Sequence, residues 1–451
     1  MALAEYVRAH REQFLEELIA FCRIPSVTAE GDDGWEAARW VARRLEALGA
    51  DVAFWGINGA PPVVYAELGP ANASRTLLIY NHYDVQPADP LDLWETPPFE
   101  PHVRGGHLYA RGVADNKANI VARAQALEAW LAVQGELPLR IKWIVEGEEE
   151  NSSPHVAQVA AQHGERFADA DGCLWESGYK DSAGRHVLYC GLKGIAYLEL
   201  CSRGAAQDLH SSWGTLVPNA AWRLVWALAT LKAEDETITV EGLMDHVRPP
   251  DPAELEHVRR LPFDAAAIRE RHAISEFVGG VDGPDALVRH LYAPTCTICG
   301  LCSGYGGPGT KTVLPAHAVA KVDFRLVPDL TPELVRDLVE AHLRRRGFAD
   351  VEVILVDGVR PARSPVDSAV AQAAAAAARD VGGHEPVIYP NMAASGPMYD
   401  LCDAFGIPAV GFGVGWPGSN VHAPNENVRL DDYFEGILMM AAFVERFAQG
   451  T

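Results

Sequence analysis

The chain has 451 residues, of which 48% are hydrophobic and 22% charged, and its formal net charge is −23. This length is too great for one ordinary core and predicts two domains, while the composition is that of a globular protein. The acidic balance disfavours nucleic acid as a partner, and none is expected, because phosphate contacts need a basic surface.

The first predicted element is an amphipathic helix near the N-terminus, within "MALAEYVRAHREQFLEELIAFCRIPSV". Tyr6, Phe14 and Leu18 follow the helical period. The stretch lacks the basic start and uninterrupted apolar core of a signal peptide, and no apolar run is long enough to span a membrane. We therefore expect a soluble, cytoplasmic protein without a membrane partner.

The following elements alternate between helix and strand. The helices are "ARWVARRLEALGA" and "NIVARAQALEAWLAVQG", and the strands are "RTLLIYNHYDV" and "LRIKWIVEG". This alternation predicts an α/β fold with a mostly parallel sheet flanked by helices. Ligands of such sheets bind beyond the carboxyl ends of the strands.

An inserted α+β domain is expected in the middle of the chain. Its strands are "GIAYLELCSRG", "AVAKVDFRLVP" and "DVEVILVDG", its helices are "NAAWRLVWALATLKA" and "TPELVRDLVEAHLRRRG", and an irregular stretch covers about residues 240–290. The α/β pattern returns in "DSAVAQAAAAAARD", "IPAVGFGVG" and "LDDYFEGILMMAAFVERFA". We therefore predict one domain from residues 1–191 and 363–451, interrupted by a second domain at residues 192–362.

Polar residues that can bind metal follow several of the predicted strands. "VEGEEENSS" holds four glutamates in five positions, and the other candidates are His82, Asp115, Glu176 and His422. Each feature alone has an ordinary interpretation, such as a surface hydrogen bond, a helix cap or an acidic first helical turn. Four adjacent carboxylates call for more positive charge than a helix N-terminus supplies, and a pair of divalent cations would supply it. Nitrogen and oxygen ligands without thiolate suit zinc, with manganese or cobalt as alternatives.

Three cysteines in "CTICGLC", Cys296, Cys299 and Cys302, resemble part of an iron–sulfur pattern. A cluster needs a fourth ligand, and the next cysteine is Cys402. The segment also has the composition of a strand. Ordinary reduced cysteines are the favoured interpretation, with a metal or redox role as the alternative.

A set of motifs in chain order resembles the co-catalytic dizinc hydrolases. The motifs are "NHYDVQP", "YARGVADNKAN", "EGEEENSS", "DLHSSWGT", "GTKTVLP", "FRLVP" and "NVHAPNE". That family includes cytosolic non-specific and carnosine-type dipeptidases, aminoacylase-1, acetylornithine deacetylase, succinyl-diaminopimelate desuccinylase and carboxypeptidase G. The resemblance implies a dizinc α/β catalytic domain at residues 1–191 and 363–451 and a lid and dimerisation domain at residues 192–362. It also implies a homodimer formed through the lid.

The resemblance assigns roles by matching motifs. Asp115 would bridge both metals, His82 and Glu176 would complete one site, and Glu150 and His422 the other. Asp84 would orient His82, and the Asp115–Asn116 peptide bond would be cis. Glu149 would be the general base for a hydroxide that bridges two metals about 3.5–4 Å apart. The implied substrate contacts are His210 from a partner subunit, Arg325 for a terminal carboxylate, and Thr312, Ser395 and Gly396.

The implied activity is metal-dependent hydrolysis of dipeptides or short peptides with a free C-terminal carboxylate. Glu176 departs from the dipeptidase pattern, since dipeptidases usually have aspartate there and deacylases glutamate. An N-acyl-amino-acid deacylase therefore stays an alternative, and a carbamoyl-amino-acid hydrolase is a weaker one. The rival from another class is a non-catalytic metal- or peptide-binding relative, against which Glu149 argues.

Overall fold

A computed structural model describes residues 2–57 and 59–450, which divide into two compact units. The first unit comprises Met1–Gly191, Arg363–Pro390 and Pro397–Thr451, and the second comprises Leu192–Ala362 and Asn391–Gly396. The short segment Asn391–Gly396, which the sequence analysis placed in the catalytic domain, thus clusters with the second unit. In the described part of the chain, no helix has the length and apolar character needed to cross a membrane.

The α-helices of the described residues follow in chain order. They are α1 (Leu3–Ala9), α2 (Arg11–Cys22), α3 (Trp35–Glu46), α4 (Ala118–Gln134), α5 (Val156–His163), α6 (Ala220–Leu228), α7 (Pro252–Arg259), α8 (Ala265–His272), α9 (Gly283–Tyr292), α10 (Pro332–Arg345), α11 (Ala369–Gly382), α12 (Met398–Leu401) and α13 (Leu430–Gln449).

The β-strands of the same residues are mostly short. They are β1 (Asp51–Trp55), β2 (Val63–Leu68), β3 (Thr76–His82), β4 (His102–Arg104), β5 (His107–Tyr109), β6 (Arg140–Glu146), β7 (Gly172–Trp175), β8 (Tyr179–Lys180), β9 (His186–Tyr189), β10 (Gly191–Leu192), β11 (Gly194–Arg203), β12 (Leu209–His210), β13 (Thr297–Ser303), β14 (Val313–Leu314), β15 (His317–Leu326), β16 (Glu352–Val359), β17 (Ala362–Arg363), β18 (Val387–Tyr389), β19 (Ala409–Gly411) and β20 (Asn427–Arg429).

The first unit is built on a sheet with the strand order β1-β2-β6-β3-β7-β19-β9-β18. The central pairs β6–β3, β3–β7 and β7–β19 are parallel. Every residue of β3 is buried, as expected for a central strand covered on both faces. The α/β fold with a mostly parallel sheet is therefore confirmed.

Helix α13 packs against both α4 and α11 beside this sheet. Helix α11 buries a run of alanines, whose small side chains let a neighbouring helix approach closely. The buried core of this unit joins Ile79 and Trp143 of the sheet to Tyr433 of α13. The C-terminal helix is therefore an integral part of a core whose sheet begins near the N-terminus.

The second unit has a four-stranded antiparallel sheet in the order β13-β15-β11-β16. Helices α6 and α10 pack on it, and Leu198, Phe324 and Val339 contribute to the buried core. Helix α10 begins as the sequence predicts, because the Thr331 side chain accepts a hydrogen bond from the Leu334 amide and Pro332 occupies the first turn.

Two regions differ from the sequence predictions. The single N-terminal helix is wrong, because the chain breaks at His10 into α1 and α2. The stretch at residues 240–290 is not irregular throughout, since it contains α7, α8 and part of α9. Asp251 caps α7 and Asp264 caps α8, so two charged residues of this stretch mark the starts of helices.

Candidate metal centre

Parallel strands place the polar candidates of the first unit at one edge of the sheet. His82 ends β3 and lies beside Glu146, which ends β6. Strand β7 ends at Trp175, directly before Glu176. Because parallel strands end on the same side of a sheet, three loops that carry these candidates meet there.

Asp115 lies between two histidines and turns a different oxygen to each. Its Oδ1 is 3.1 Å from His82 Nε2, and its Oδ2 is 3.3 Å from His422 Nε2. His422 Nε2 is also 3.0 Å from Glu150 Oε2. One carboxylate that faces two separate nitrogen donors has the geometry of a bridging ligand.

The donor set fits divalent cations. His82, Glu149 and Glu176 form one group, and His82, Asp115 and Glu150 another, with one potential ligand atom from each residue lying within 4.8 Å of the others. Among the described residues, no hydrogen-bond partner reaches the buried Oε2 of Glu176. A buried carboxylate oxygen without a donor is costly unless a cation compensates it.

Asp84 fixes the loop that carries the adjacent glutamates. Its carboxylate accepts hydrogen bonds from the amides of Glu149 and Glu150, at 3.3 and 3.0 Å. Its Oδ1 also lies 3.3 Å from His82 Nδ1, on the side of the ring away from Asp115. Asp84 thus contacts both the histidine expected from the sequence and a glutamate loop that the sequence did not connect with it.

Glu149 and Glu150 point to different partners. Glu150 Oε2 accepts a hydrogen bond from Gln86 Nε2 at 2.9 Å and contacts His422. Glu149 Oε2 lies 3.9 Å from His82 Nε2. The two neighbouring side chains therefore occupy different surroundings.

Burial and close contacts among the ionisable side chains of this site raise several of their pKa values. Burial raises the pKa of Glu149 well above its usual value, and the Glu176 carboxylate raises it further. Burial raises the pKa of Glu176 to about 7. Hydrogen bonds with Asp115 and Glu150 raise the pKa of His422 to about 10. These carboxylates need positive charge in order to ionise together, which protonated imidazoles or metal ions can provide.

The sequence analysis missed Glu426, which holds the Asp115 loop. This buried carboxylate accepts hydrogen bonds from the amides of Gly112, Ala114 and Asp115 at 2.9, 2.8 and 3.1 Å. Arg111 Nη1 donates to it at 2.8 Å. Glu426 stands near the end of "NVHAPNEN", and Gln86 stands in "NHYDVQP". Their positions within these motifs could have indicated a role at the site. The Asp115–Asn116 peptide bond in the same loop is cis, as predicted.

The two remaining glutamates of "VEGEEENSS" have other partners. Glu146 is buried, and its Oε1 accepts hydrogen bonds from Tyr80 at 2.5 Å and Ser153 at 2.9 Å. Burial raises the pKa of Glu146 to about 8. Glu148 contacts His155 Nδ1 at 2.7 Å. Both therefore have structural partners outside the metal-ligand candidates.

The predicted substrate contacts lie in the second unit and form two pairs. His210 Nε2 is 3.1 Å from Thr312 Oγ1, next to the paired strands β12 and β14. Arg325 Nη1 donates to Ser395 Oγ at 2.8 Å, and Gly396 follows in the chain. The cysteines of "CTICGLC" are free, with Cys296 buried and Cys299 and Cys302 exposed.

Comparisons with known proteins agree with the ordered motifs. The sequence model of peptidase family M20/M25/M40 matches residues 78–446. The chain is 28% identical to a Beta-Ala-His dipeptidase of Homo sapiens over 99% of this chain and 92% of that protein. It is 29% identical to a Cys-Gly metallodipeptidase of Schizosaccharomyces pombe over 76% of this chain and 75% of that protein.

A solved structure of an M20 family metallo-carboxypeptidase from Sulfolobus solfataricus is 35% identical in sequence. It superposes with a TM-score of 0.90 over 97% of this chain and 99% of that one. The segment that matches the family contains the whole metal-centre candidate set, from His82 to His422. The chain belongs to peptidase family M20/M25/M40.

Proposed function

We propose that the protein hydrolyses the amide bond of dipeptides or short peptides that carry a free C-terminal carboxylate. The observation that carries the proposal is the placement of Asp115, with one oxygen toward His82 and the other toward His422. It supports a dinuclear site of the kind used for amide hydrolysis. The named dipeptidases among the relatives support the choice of substrate.

In this proposal, five residues hold two divalent cations. Asp115 contacts both, His82 and Glu176 complete one site, and Glu150 and His422 complete the other. The absence of thiolate from this set favours zinc, with manganese or cobalt as alternatives. When bound, the cations polarise the scissile carbonyl and make a water molecule more acidic.

Glu149 is the proposed general base. Its carboxylate accepts the proton of the attacking water and returns it to the leaving amine. Burial beside Glu176 raises its pKa, so Glu149 needs nearby positive charge in order to ionise and act as a base. Asp84 holds His82 in the required orientation through the Nδ1 side of the ring.

The first prediction tests this assignment with Glu149→Gln. The variant keeps the shape of the side chain but cannot accept the proton, so kcat should fall by roughly 10²–10⁴-fold. Two metals per chain should remain by elemental analysis. Glu148→Gln is the matched control and should keep most of the activity. Glu149→Gln activity within about tenfold of the wild type would contradict the role of base.

A second candidate activity is release of a C-terminal residue from N-acylated or longer substrates. The 35% identity to a metallo-carboxypeptidase favours it, while the glutamate at position 176 favours an N-acyl-amino-acid deacylase. A panel should compare dipeptides with N-acylated dipeptides and with N-acetyl, N-succinyl and N-carbamoyl amino acids. Each substrate is tested on metal-depleted protein supplied with zinc, manganese or cobalt. Two bound metals without hydrolysis of any substrate would favour the non-catalytic binder.

A homodimer formed through the second unit is also proposed. Strand β13 is an edge of its sheet, with Ile298 53% and Leu301 57% exposed. Helix α6 exposes Trp222 and Trp226, whose rings stack with centroids 5.7 Å apart. An apolar edge strand and exposed tryptophans in the same unit support pairing with a second copy. His210 would then contribute to substrate binding in the partner's site.

The cytoplasm is the proposed location of the protein.

A further inference from the structure

The second unit contains a cavity of about 680 Å³. Such a volume lies within the range of small-molecule sites, roughly 300–1,000 Å³. Its walls come from α8, α9 and the segment between them, together with the approach to β13. Arg325 is the lining residue for which the sequence resemblance implies contact with the substrate's terminal carboxylate.

One wall of the cavity is apolar without being part of a core. Phe263, Ile268, Phe277 and Val278 line it, and the rings of Phe263 and Phe277 have centroids 6.1 Å apart. Val278 remains 54% exposed. The buried core of this unit is built from other side chains. Apolar side chains grouped around an open cavity are typical of a ligand site.

Four cationic side chains line the cavity, Lys193, Lys232, Arg289 and Arg325, together with one carboxylate, Glu236. Lys232 pairs with Glu236, and Arg289 Nη1 donates to the Val278 carbonyl at 2.9 Å. Lys193 is only 3% exposed, and its Nζ donates to the carbonyl of Ala293 at 2.7 Å. Arg325 Nε lies 3.3 Å from Asp323 Oδ2. Burial lowers the pKa of Lys193 to about 8, and the charge of Arg325 lowers it further. A bound anion would stabilise both cations.

We propose that this cavity binds the C-terminal residue of the substrate and selects an aromatic or branched aliphatic side chain there. Lys193 joins Arg325 in binding the carboxylate, while Phe263, Ile268 and Phe277 contact the side chain. A lysine or arginine side chain is disfavoured, because four cationic side chains but a single carboxylate line the cavity. This inference rests on the proposed function and adds to it Lys193, the apolar wall and the class of side chain.

Direct binding of 3-phenylpropionate tests the cavity, because this probe has a carboxylate and a phenyl ring but no amide bond. Titration calorimetry uses the full chain, both metal-free and zinc-loaded. Phe277→Ala and Lys193→Met should each weaken binding by at least about tenfold, since one removes the apolar contact and the other the charge. Ile274→Ala is the control, because this residue lies in the same segment but does not line the cavity.

Retained binding in the metal-free protein, lost in Phe277→Ala, supports the cavity as the binding site. The neutral amide of the probe should bind at least about tenfold more weakly. Absence of binding to the wild type, or wild-type affinity in both Phe277→Ala and Lys193→Met, overturns the inference.

Kinetics separate this inference from the proposed function. Phe277→Ala should lower kcat/KM for glycyl-phenylalanine by at least about tenfold, mainly through KM, and leave glycyl-alanine within about twofold. Hydrolysis of both peptides with equal loss in the variant contradicts the side-chain selection. Hydrolysis of no peptide, with binding of 3-phenylpropionate intact, instead contradicts the proposed function.

Discussion

Glu426 shows how one buried side chain can set the position of another. Its carboxylate accepts hydrogen bonds from three backbone amides of the loop that ends at Asp115 and from the guanidinium of Arg111. Glu426 therefore orients the loop through its backbone amides. It does not need to contact the side chains of the five proposed ligands. It therefore links a structural ion pair to the geometry of the candidate metal centre.

Glu426→Gln should destabilise the protein by about 3 kcal/mol, because it leaves the Arg111 charge buried without its partner. Denaturant unfolding measures the loss, and elemental analysis should show fewer metals per chain. Glu165→Gln, at an exposed position, is the control and should change stability by less than about 0.5 kcal/mol. Unchanged stability and full metal content in Glu426→Gln would refute this role.

For individual residues, the sequence identified the candidate metal ligands but not the buried residue that positions the Asp115 loop. His82, Asp115 and His422 stand in motifs whose residue types suit metal binding. Glu426 binds backbone amides 311 to 314 residues away, and nothing in its local pattern encodes such a partner. The ligand roles themselves stay predictions until metal content is measured.

Glycines allow the loops after two neighbouring strands to approach each other. A Cβ on Gly178 would lie 2.5 Å from Phe412 Cα and 2.6 Å from Gly413 N. Gly178 follows β7 and stands two residues after Glu176, while Phe412 and Gly413 follow β19. The close approach of these loops therefore fixes the segment that presents Glu176.

Gly178→Ala should separate the two loops, because backbone atoms on the opposite side cannot move aside as a flexible side chain can. We expect a loss of about 1–3 kcal/mol in stability, measured by denaturant unfolding, and reduced metal content. Gly56→Ala is the matched control, since its Cβ would meet nothing within 4 Å. Equal stability of the two variants would contradict the packing argument.

The periodicity of apolar residues predicted the principal strands and helices. Local composition failed to predict the structure where the same residues are typical of both loops and helix starts. Asp251 and Asp264 lie among prolines and charges, and this composition is typical of loops and helix starts alike. Only the packing of the following turns distinguishes the two. Near the N-terminus, the apolar residues keep the helical period across His10, so the pattern did not predict the break between α1 and α2.

The proposed dimer has a direct test at the scale of the whole molecule. Trp226→Glu places a charge on the exposed face of α6 and should convert the protein to monomers by sedimentation velocity. Leu91→Glu makes the same change at an exposed apolar residue of the first unit and should leave the mass unchanged. A monomeric wild type, or a dimeric Trp226→Glu variant, would refute pairing through α6.

Complementation tests whether His210 acts across the dimer. His210→Ala and Glu149→Ala should each be nearly inactive alone. After subunit exchange in equal amounts, about a quarter of wild-type activity should return, because half of the dimers are mixed and each has one intact site. Separately labelled subunits establish exchange, and no recovery after proven exchange would count against His210 acting in the partner's site.

The 315 residues that separate Arg111 from Glu426 have a consequence for synthesis. A ribosome delivers the Asp115 loop long before it delivers the side chain that orients it. His422 emerges almost as late as Glu426. A chain still being translated therefore carries the proposed nucleophile-activating glutamate without a complete cage for the metals. Under the proposed ligand roles, a chain whose synthesis has not yet passed His422 would not hold both metals.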